Sequence, residues 1–320
     1  MLNILYCFDN NYNKQAATAI SSLADNCDEK VNIFIIHENP SSFEKYRKKL
    51  LQKEFIYSIK IKKFVNDNYD FPNLKSAHVS LATYYRIFIQ NYIPKNIEFL
   101  TYIDADVVCL NNPIKSIYKT INQMKLKNYN IAGRTEGNQE ISKDYFSNLG
   151  YKGSKYFNAG IVVINYQQWL NQKTQDDLIK IMKDKYNQII YWDQDVLNCY
   201  FNGEYLDLDE NLNFKLQLEN NDIKNRERIK DEVIFLHYSG NGKPWNYDSV
   251  TKLNSYYYQD AYNKFFNFKF HTDIKLTKHD IKNLVNLFVF KKNPNSISLK
   301  LFIKNLIILI KKLLKYNFNK

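Results

Sequence analysis

The chain contains 320 residues, 45% of them hydrophobic and 16% aromatic, a composition that excludes an intrinsically disordered protein. Its formal net charge is +12 at pH 7, and its eight glycines form neither a GxGxxG nor a GxxxxGK phosphate loop. A bound nucleotide would therefore have to be held by a metal ion, by side chains and by the ends of strands.

The first hundred residues alternate between strand-like and helix-like segments. Apolar strands in regular alternation with helices predict an α/β fold with a mostly parallel central sheet covered on both faces. The pattern loosens after residue 106. The predicted strands are residues 2–8, 31–37, 57–64, 98–103, 130–134, 159–165 and 233–237, and the predicted helices are residues 13–24, 42–53, 79–91, 176–186 and 193–201.

Polar residues follow the first predicted strand. Asp9, Asn10, Asn11 and Tyr12 come directly after Phe8, at the strand end where ligands bind in open α/β sheets. An Asp followed by amides can bind the base or ribose of a nucleotide. The alternative is structural, because Asp and Asn also form turns and cap the following helix.

A second polar group opens the predicted helix 79–91. From the start of this helix, His78 and Thr83 can reach a sugar or a phosphate, and Arg86 follows Thr83 by about one turn. Helix capping explains Thr83 equally well.

The strongest single signal is the acidic pair at the end of the predicted strand 98–103. Asp104 and Asp106, separated by Ala105, can both bind one divalent cation that keeps further positions for phosphate oxygens. An Asp-x-Asp pair taken alone could equally cap the next helix.

Two further segments place amides and acids beside apolar elements. Asn158 and Ala159 precede Gly160 at the mouth of a very apolar strand, and the glycine lets a ligand or a neighbouring chain approach the backbone. Asp193 and Gln194, with another Asp one residue later, open a predicted helix. Helix N-termini favour acids, but this effect explains one of the two acids rather than all three polar groups.

His237 ends the last predicted core strand and is followed by Gly240 and Lys243. Glycine amides and an ammonium group suit a diphosphate, and an imidazole can complete a metal shell. With Asp104 and Asp106, it would form a site of two carboxylates and one imidazole, which prefers Mn²⁺ to Mg²⁺. A lone His at a strand end is otherwise usually a core residue.

The four cysteines show no CxxC spacing, and the chain begins directly in a strand without a basic leader. We therefore expect no disulfide framework, no signal peptide and a reducing, cytoplasmic location. No apolar run near the carboxyl end approaches the ~20 residues that a membrane span requires.

The carboxyl-terminal segment differs from the rest of the chain. Residues 277–320 contain ten lysines and one acid, Asp280, so the other 276 residues carry only +3. In residues 297–318 lysines recur at helical spacing among apolar residues, which predicts a helix lying on an anionic membrane. The alternative is a helix that packs on the domain or on a second protomer. We predict a catalytic domain at residues 1–272 and a basic tail at residues 273–320.

Taken in chain order, the six polar segments resemble glycosyltransferase family 8, in particular its lipopolysaccharide α-galactosyltransferase type. The resemblance covers about residues 1–250, although the loop 239–242 differs in detail. It implies a GT-A fold, a UDP-hexose donor (galactose or glucose) and a saccharide acceptor, lipopolysaccharide or lipooligosaccharide. The acceptor would be lipid-linked, and the protein would act at the inner face of a bacterial cell membrane.

The resemblance also implies a role for each matching residue. Asp104, Asp106 and His237 would bind Mn²⁺, with Mg²⁺ as the alternative ion. The uridine of the donor would be contacted by Asp9, Asn10, Asn11 and Tyr12, and its sugar by Arg86, Asn158, Asp193 and Gln194. Its diphosphate would be contacted by Gly240 and Lys243, and His78 and Thr83 would lie near the acceptor and phosphate. Ala105 and Ala159 lie within the matching motifs.

Members of this family retain the anomeric configuration. Gln194 matches the position beneath the anomeric carbon, and an amide is a poor nucleophile, unlike the carboxylate that retaining hydrolases use. We therefore expect attack from the front face, with the leaving phosphate oxygen taking the acceptor proton. A covalent role for Asp193 is the alternative.

Two other functions compete with sugar transfer. A metal-dependent sugar-phosphate nucleotidyltransferase would share the acidic pair but would release pyrophosphate from a nucleoside triphosphate. A non-enzymatic basic protein that binds membranes or nucleic acid would need basic residues interleaved with exposed aromatics along the main body. The basic excess is instead in the tail, so no nucleic-acid partner is expected.

Overall fold

The computed structural model describes residues 1–74, 80–137, 143–218, 226–240, 242–246, 249–250, 252–268, 270–273 and 307. His78 and the predicted tail helix, apart from Ile307, lie outside these ranges. The predicted boundary at residue 272 therefore stays a prediction. In the ranges that are described, no helix is long and apolar enough to cross a membrane.

The chain divides into two compact units, Met1–Lys215 with Glu227–His237, and Leu216–Arg226 with Tyr238–Lys320. The strands are β1 (Asn3–Phe8), β2 (Val31–His37), β3 (Ile56–Lys63), β4 (Phe99–Ile103), β5 (Val107–Cys109), β6 (Ile131–Thr135), β7 (Phe157–Asn165), β8 (Leu206–Asp207), β9 (Phe214–Lys215) and β10 (Phe235–His237). The α-helices are α1 (Asn13–Asn26), α2 (Pro40–Leu50), α3 (Ile114–Lys127), α4 (Lys143–Leu149), α5 (Tyr166–Asn171), α6 (Thr174–Asp184), α7 (Trp192–Phe201), α8 (Arg226–Asp231) and α9 (Tyr256–Phe266).

The central sheet of the first unit has the order β3-β2-β1-β4-β7-β6-β8. All neighbouring strands in it are parallel except β7, which runs antiparallel to both β4 and β6. The prediction of a mostly parallel sheet is thus confirmed. A small second sheet has the order β5-β10-β9.

The apolar strands are buried because the sheet is covered on both faces. Every residue of β4 is buried, including those at alternating positions, as expected for a strand with helices on each side. The edge strand β3 instead exposes Lys60, Lys62 and Lys63, and such charges protect an open sheet edge against pairing with another chain.

The helices differ from the sequence prediction at several places, and α4, α5, α8 and α9 were not predicted. The segment predicted as a helix at 79–91 is a 3₁₀-helix at Leu81–Asn91, which Ser80 caps and which is kinked at Phe88. Helix α3 was not predicted, although Ile117, Ile121 and Met124 are buried at helical spacing and it starts directly after Pro113.

The strand directions bring the predicted polar segments to one edge of the central sheet, the one formed by the carboxyl ends of its parallel strands. Strands β1 and β4 are parallel and end at the same edge, just before Asp9 and Asp104. Because β7 is antiparallel, its beginning lies there too, and Ile103 pairs with Ile161. Asn158 and Ala159 therefore join the two acidic segments at this edge.

The second unit has its own aromatic core around α9. Tyr258 and Trp245 pack with ring centroids 4.9 Å apart, and Tyr262 stacks on His271 at 4.7 Å. The hydroxyl of Tyr258 and Nδ1 of His271 are joined by a hydrogen bond of 2.6 Å.

Candidate functional site

The acidic pair lies in a tight turn between β4 and β5. The backbone N–H of Asp104 donates to the carbonyl of Gly160 at 2.8 Å, and the N–H of Val107 donates to the carbonyl of Asp104 at 3.3 Å. Ala105 is buried between the two carboxylates. The turn therefore holds both acids against the start of β7.

His237 reaches the acidic pair through the small sheet. Strand β10 pairs antiparallel with β5 so that His237 lies opposite Val107, the residue after Asp106. The imidazole Nε2 is 3.5 Å from Oδ1 of Asp106. One ligand atom from each of Asp104, Asp106 and His237 lies within 4.8 Å of the others.

The donor atoms fit a divalent cation. Two carboxylates held this close repel each other, and a cation bound between them would remove that repulsion. Asp104 is the more accessible, with 28% of its side chain exposed, whereas Asp106 and His237 expose 12% and 4%. Oxygen and imidazole ligands together suit Mn²⁺ and related ions.

A buried guanidinium group connects the acidic pair to α7. Arg86 donates to Asp104 at 3.1 Å and lies 2.6 Å from the carboxylate of Asp193. Its guanidinium carbon is 3.7 Å from the centroid of the Tyr102 ring, and the Tyr102 hydroxyl donates to Asp104. Thr83 donates to the other oxygen of Asp193 at 2.5 Å.

Burial and charge act in opposite directions on these carboxylates. Burial raises the pKa of Asp104 and of Asp193, and the positive charge of Arg86 opposes both increases. When ionised, Asp104, Asp106 and Asp193 carry three negative charges beside the one positive charge of Arg86, an excess of two. A divalent cation would neutralise this excess.

Neutral amides surround the other side of the site. Asn158 donates to Gln194 Oε1 at 3.3 Å, and the N–H of Ala159 donates to the same oxygen at 3.0 Å. The Gln194 amide nitrogen donates to the hydroxyl of Tyr156 at 3.3 Å. The side chain of Gln194, in the first turn of α7, is thus hydrogen-bonded to the start of β7. Arg86 also donates a hydrogen bond to the carbonyl of Ala159.

The three polar residues at the start of α7 have different partners. Asp195 is completely buried and accepts from the backbone N–H groups of Ile190 and Tyr191 at 2.8 and 2.7 Å, and from Tyr156 at 2.6 Å. It therefore shapes the turn that presents Asp193 and Gln194. In that turn Trp192 has φ of 49°, a conformation that costs a non-glycine residue ~1–3 kcal/mol.

The segment after β1 is a 3₁₀-helix at Asn10–Tyr12 that Asp9 caps. Oδ1 of Asp9 accepts from the N–H groups of Asn11 and Tyr12 at 2.9 and 3.3 Å. The N–H of Asn10 donates to Glu38 at 3.1 Å. Asp9 therefore has the capping role that was the structural alternative to nucleotide binding. This capping does not exclude a contact between the same loop and uridine.

Gly240 and Lys243 belong to the second unit. Gly240 has φ of 82°, a conformation that favours glycine. Lys243 donates to the carbonyl of Tyr238 at 2.6 Å, within the same loop.

Two residues that the sequence did not indicate complete the site. Asn213 accepts a hydrogen bond from Nδ1 of His237 at 3.0 Å and donates to Asn158 at 3.0 Å. Glu136 accepts from Asn158 at 2.9 Å. Glu136 directly follows β6, a position that could have been recognised, whereas Asn213 lies between two short elements without any periodic pattern.

The chain is similar in sequence to a known protein family and to two of the enzymes compared with it. The model of the family described as Glycosyl transferase family 8 matches residues 3–249. A lipopolysaccharide 1,2-glucosyltransferase of Escherichia coli is 29% identical over 275 residues, which are 82% of this chain and 78% of that one. A lipopolysaccharide 1,3-galactosyltransferase of Salmonella typhimurium is 28% identical over 269 residues, which are 80% and 77% of the two chains.

Among solved structures, galactosyltransferase LgtC in complex with donor and acceptor sugar analogs is similar to this chain with a TM-score of 0.69. The sequences are 22% identical, and the match covers 82% of this chain and 96% of that one. This likeness confirms the predicted GT-A fold.

Proposed function

The chain belongs to glycosyl transferase family 8, and we propose that it transfers galactose or glucose from a UDP-sugar to a saccharide with retention of the anomeric configuration. The observation that carries this proposal is the convergence of Asp104, Asp106 and His237 within 4.8 Å, at the sheet edge where Asn158 and Gln194 also lie. A cation site beside a polar surface suits a sugar diphosphate.

We assign the cation to Mn²⁺, with Mg²⁺ as the alternative, and its ligands to the two carboxylates and the imidazole. Bound there, the ion would neutralise the charge that develops on the leaving UDP. Lys243 and the backbone of Gly240 are proposed to contact the same diphosphate. Asp9, Asn10, Asn11 and Tyr12 are proposed to hold the uridine.

The contacts of Asp193 support attack from the front face. Its carboxylate is 2% exposed, lies against Arg86 and accepts from Thr83, so both oxygens are engaged. A nucleophile needs an accessible lone pair directed at the anomeric carbon. Asp193 is therefore proposed to hold Arg86 in place, together with Thr83, rather than to form a glycosyl adduct.

Gln194 is proposed to stabilise positive charge at the anomeric carbon. Its carbonyl oxygen carries partial negative charge, and donors from Asn158 and Ala159 fix its position. A fixed dipole of this kind acts without reorganisation when charge develops. In this mechanism the acceptor hydroxyl gives its proton to the departing phosphate oxygen as the new glycosidic bond forms.

The acceptor is proposed to be a lipid-linked saccharide of the lipopolysaccharide or lipooligosaccharide type. The similarity to the Escherichia coli and Salmonella typhimurium transferases supports this class. His78 is proposed to lie near the acceptor, and the basic tail to bind the anionic inner face of the membrane. Co-sedimentation with anionic vesicles tests the tail, since a chain ending at residue 273 should lose binding while keeping activity on soluble acceptors.

A donor panel tests the proposed reaction. The purified protein is incubated with UDP-galactose, UDP-glucose and other UDP-sugars, with Mn²⁺, with Mg²⁺ and with excess chelator, and release of UDP is measured. Turnover of a UDP-hexose that depends on the cation supports the proposal. Release of pyrophosphate from a nucleoside triphosphate with a sugar phosphate would instead identify a nucleotidyltransferase.

A further inference from the structure

We propose that Asn213 is a positioning residue that fixes the tautomer of His237, and that a relay of hydrogen bonds from the backbone N–H of Gly160 sets its orientation. The proposal rests on the metal-binding role of His237 proposed above. Asn213 is hydrogen-bonded to Nδ1 of His237, the ring nitrogen other than the one beside Asp106, and to the side chain of Asn158.

The relay begins at a group whose polarity cannot change. The backbone N–H of Gly160 can only donate, and it donates to the Asn158 side chain at 2.9 Å. The atom of Asn158 on that side must therefore be its carbonyl oxygen. The carboxylate of Glu136 agrees at the other end, because it can only accept, and it lies 2.9 Å from the Asn158 amide nitrogen.

The orientation of Asn158 determines the orientation of Asn213. The carbonyl oxygen of Asn158 lies 3.0 Å from the Asn213 side chain, so the Asn213 atom on that side must be the NH₂ group. The carbonyl oxygen of Asn213 then points to Nδ1 of His237, also at 3.0 Å. Turning either amide around would place two acceptors or two donors against each other.

The orientation of Asn213 in turn determines which ring nitrogen carries the proton. Nδ1 must donate to the Asn213 oxygen, so a neutral imidazole has its lone pair on Nε2. Nε2 is the nitrogen that lies 3.5 Å from Asp106. Metal-bound histidines are oriented in this way, by a hydrogen bond from the second nitrogen to an oxygen.

Burial and close packing protect the hydrogen bonds of the relay from exchange with solvent. Asn158, Asn213 and His237 are 7%, 1% and 3% exposed, so solvent has little access to exchange these bonds. A methyl group on Gly160 would stand 2.1 Å from Cε1 of His237, so the ring lies directly against the glycine backbone. Gly160 therefore supplies both the donor that starts the relay and the space that its last member occupies.

The first test measures the tautomer in the complete, metal-free protein. Long-range ¹H–¹⁵N spectra of histidine-labelled protein distinguish the two nitrogens, and His237→Gln identifies the resonance of His237. The proposal predicts a protonated Nδ1 and an unprotonated Nε2 at pH above the pKa of the ring. A proton on Nε2 in the wild-type protein would overturn it, whether or not the protein transfers sugar.

The second test measures binding of Mn²⁺ alone by electron paramagnetic resonance. Asn213→Ala should produce a mixture of tautomers and weaken Mn²⁺ binding by ~10–100-fold, as is typical for loss of such a partner. Asn213→Asp keeps an acceptor for Nδ1 and should bind Mn²⁺ more tightly than Asn213→Ala. Asn213→Asp loses the donor to Asn158, so if the alanine variant does not fold, the ¹H–¹⁵N spectrum of Asn213→Asp decides: the retained acceptor should keep the proton on Nδ1, and a proton on Nε2 would contradict the proposal.

Asn13→Ala is the matched control, because Asn13 is also a buried asparagine that bonds a buried histidine, His37, at 2.9 Å. It should leave Mn²⁺ affinity unchanged. Wild-type Mn²⁺ affinity and an unchanged tautomer in Asn213→Ala would contradict the proposal. If Mn²⁺ binds as expected but no UDP-sugar reacts, the relay stands and the proposed function fails.

Discussion

His37 and His237 occupy similar positions in the two sheets and have opposite hydrogen-bond patterns. Each is buried, ends an apolar strand and contacts an asparagine. At His37, Nδ1 accepts from the backbone N–H of Asn39 at 2.8 Å, so the proton is on Nε2 and is donated to Asn13. At His237 the proton is on Nδ1, and Nε2 faces Asp106.

The difference separates a structural histidine from the proposed metal ligand. Burial and the position at a strand end are common to both, so neither property identifies the metal centre. The partner of Nδ1 decides, because a backbone N–H at His37 makes that nitrogen an acceptor, whereas an amide oxygen at His237 makes it a donor. Nε2 of His237 then lies beside the carboxylates with which it is proposed to bind a cation.

The largest expected effect comes from removing each ring in turn. His237→Gln should reduce sugar transfer by ~10²–10³-fold and weaken Mn²⁺ binding, because the charge on the leaving diphosphate loses part of its counter-ion. His37→Gln should leave Mn²⁺ affinity near that of wild type and lower thermal stability instead. Steady-state UDP release and thermal unfolding of both variants provide the measurement, and equal loss of Mn²⁺ binding in both would end the distinction.

Gly160→Ala should also abolish tight Mn²⁺ binding. The added methyl group would stand 2.1 Å from the His237 ring, so the ring or the glycine backbone must shift from its present position. Overpacking of this kind usually costs ~1–3 kcal/mol of stability. Mn²⁺ binding and the melting temperature should therefore both fall, and a folded variant with unchanged affinity would show that the ring position is not critical.

The amide network of His237 extends through Asn158 to Gln194, whereas the network of His37 runs through Asn13 to Ser42. Gln194→Ala should lower kcat to ~10⁻²–10⁻³ of wild type, because the dipole proposed to lie beneath the anomeric carbon is lost while the proposed metal ligands remain. Mn²⁺ affinity should stay the same. Mass spectrometry of the reacting enzyme supplies the counter-test, since a glycosyl adduct on Asp193 would overturn front-face attack.

The smallest effect is a pH dependence of stability from His37. Burial lowers its pKa, with Glu38 and Asp9 opposing the shift, so the unfolded chain takes up a proton first as the pH falls below about 6.5. Stability should be independent of His37 above that pH and should decrease below it by at most ~1.4 kcal/mol per pH unit. Denaturant unfolding at pH 7.5 and 5.5 should show a smaller difference for His37→Gln than for wild type; identical differences would contradict the assignment.

The sequence predicted the parts of the fold that depend on periodicity. Strands β1, β2 and β4 and helix α1 lie within a few residues of the predicted ranges, because each is a long apolar or amphipathic segment. The acidic pair was recognisable because it directly follows such a strand. Helix α3 was missed although its buried side chains recur at helical spacing.

The pairing of distant segments could not be deduced from pattern alone. Strands β5 and β10 have three residues each, too few for a periodic signal, yet their pairing brings His237 to Asp106. His237 was grouped with Asp104 and Asp106 from the ligand chemistry of the three side chains and from the family resemblance, and not from strand pairing. Asn213 precedes a strand of two residues, and its role depends on hydrogen bonds that no sequence pattern encodes.

The most direct test of the account is UDP release from a UDP-hexose by wild-type protein and by Asp106→Ala, each with Mn²⁺ and with excess chelator. We predict turnover by wild type only with the cation, and a loss of at least ~10²-fold in Asp106→Ala, which loses a ligand of the ion that neutralises the leaving diphosphate. Near-wild-type activity of Asp106→Ala in chelated buffer would contradict the assignment of Asp104, Asp106 and His237 as a metal centre for sugar transfer.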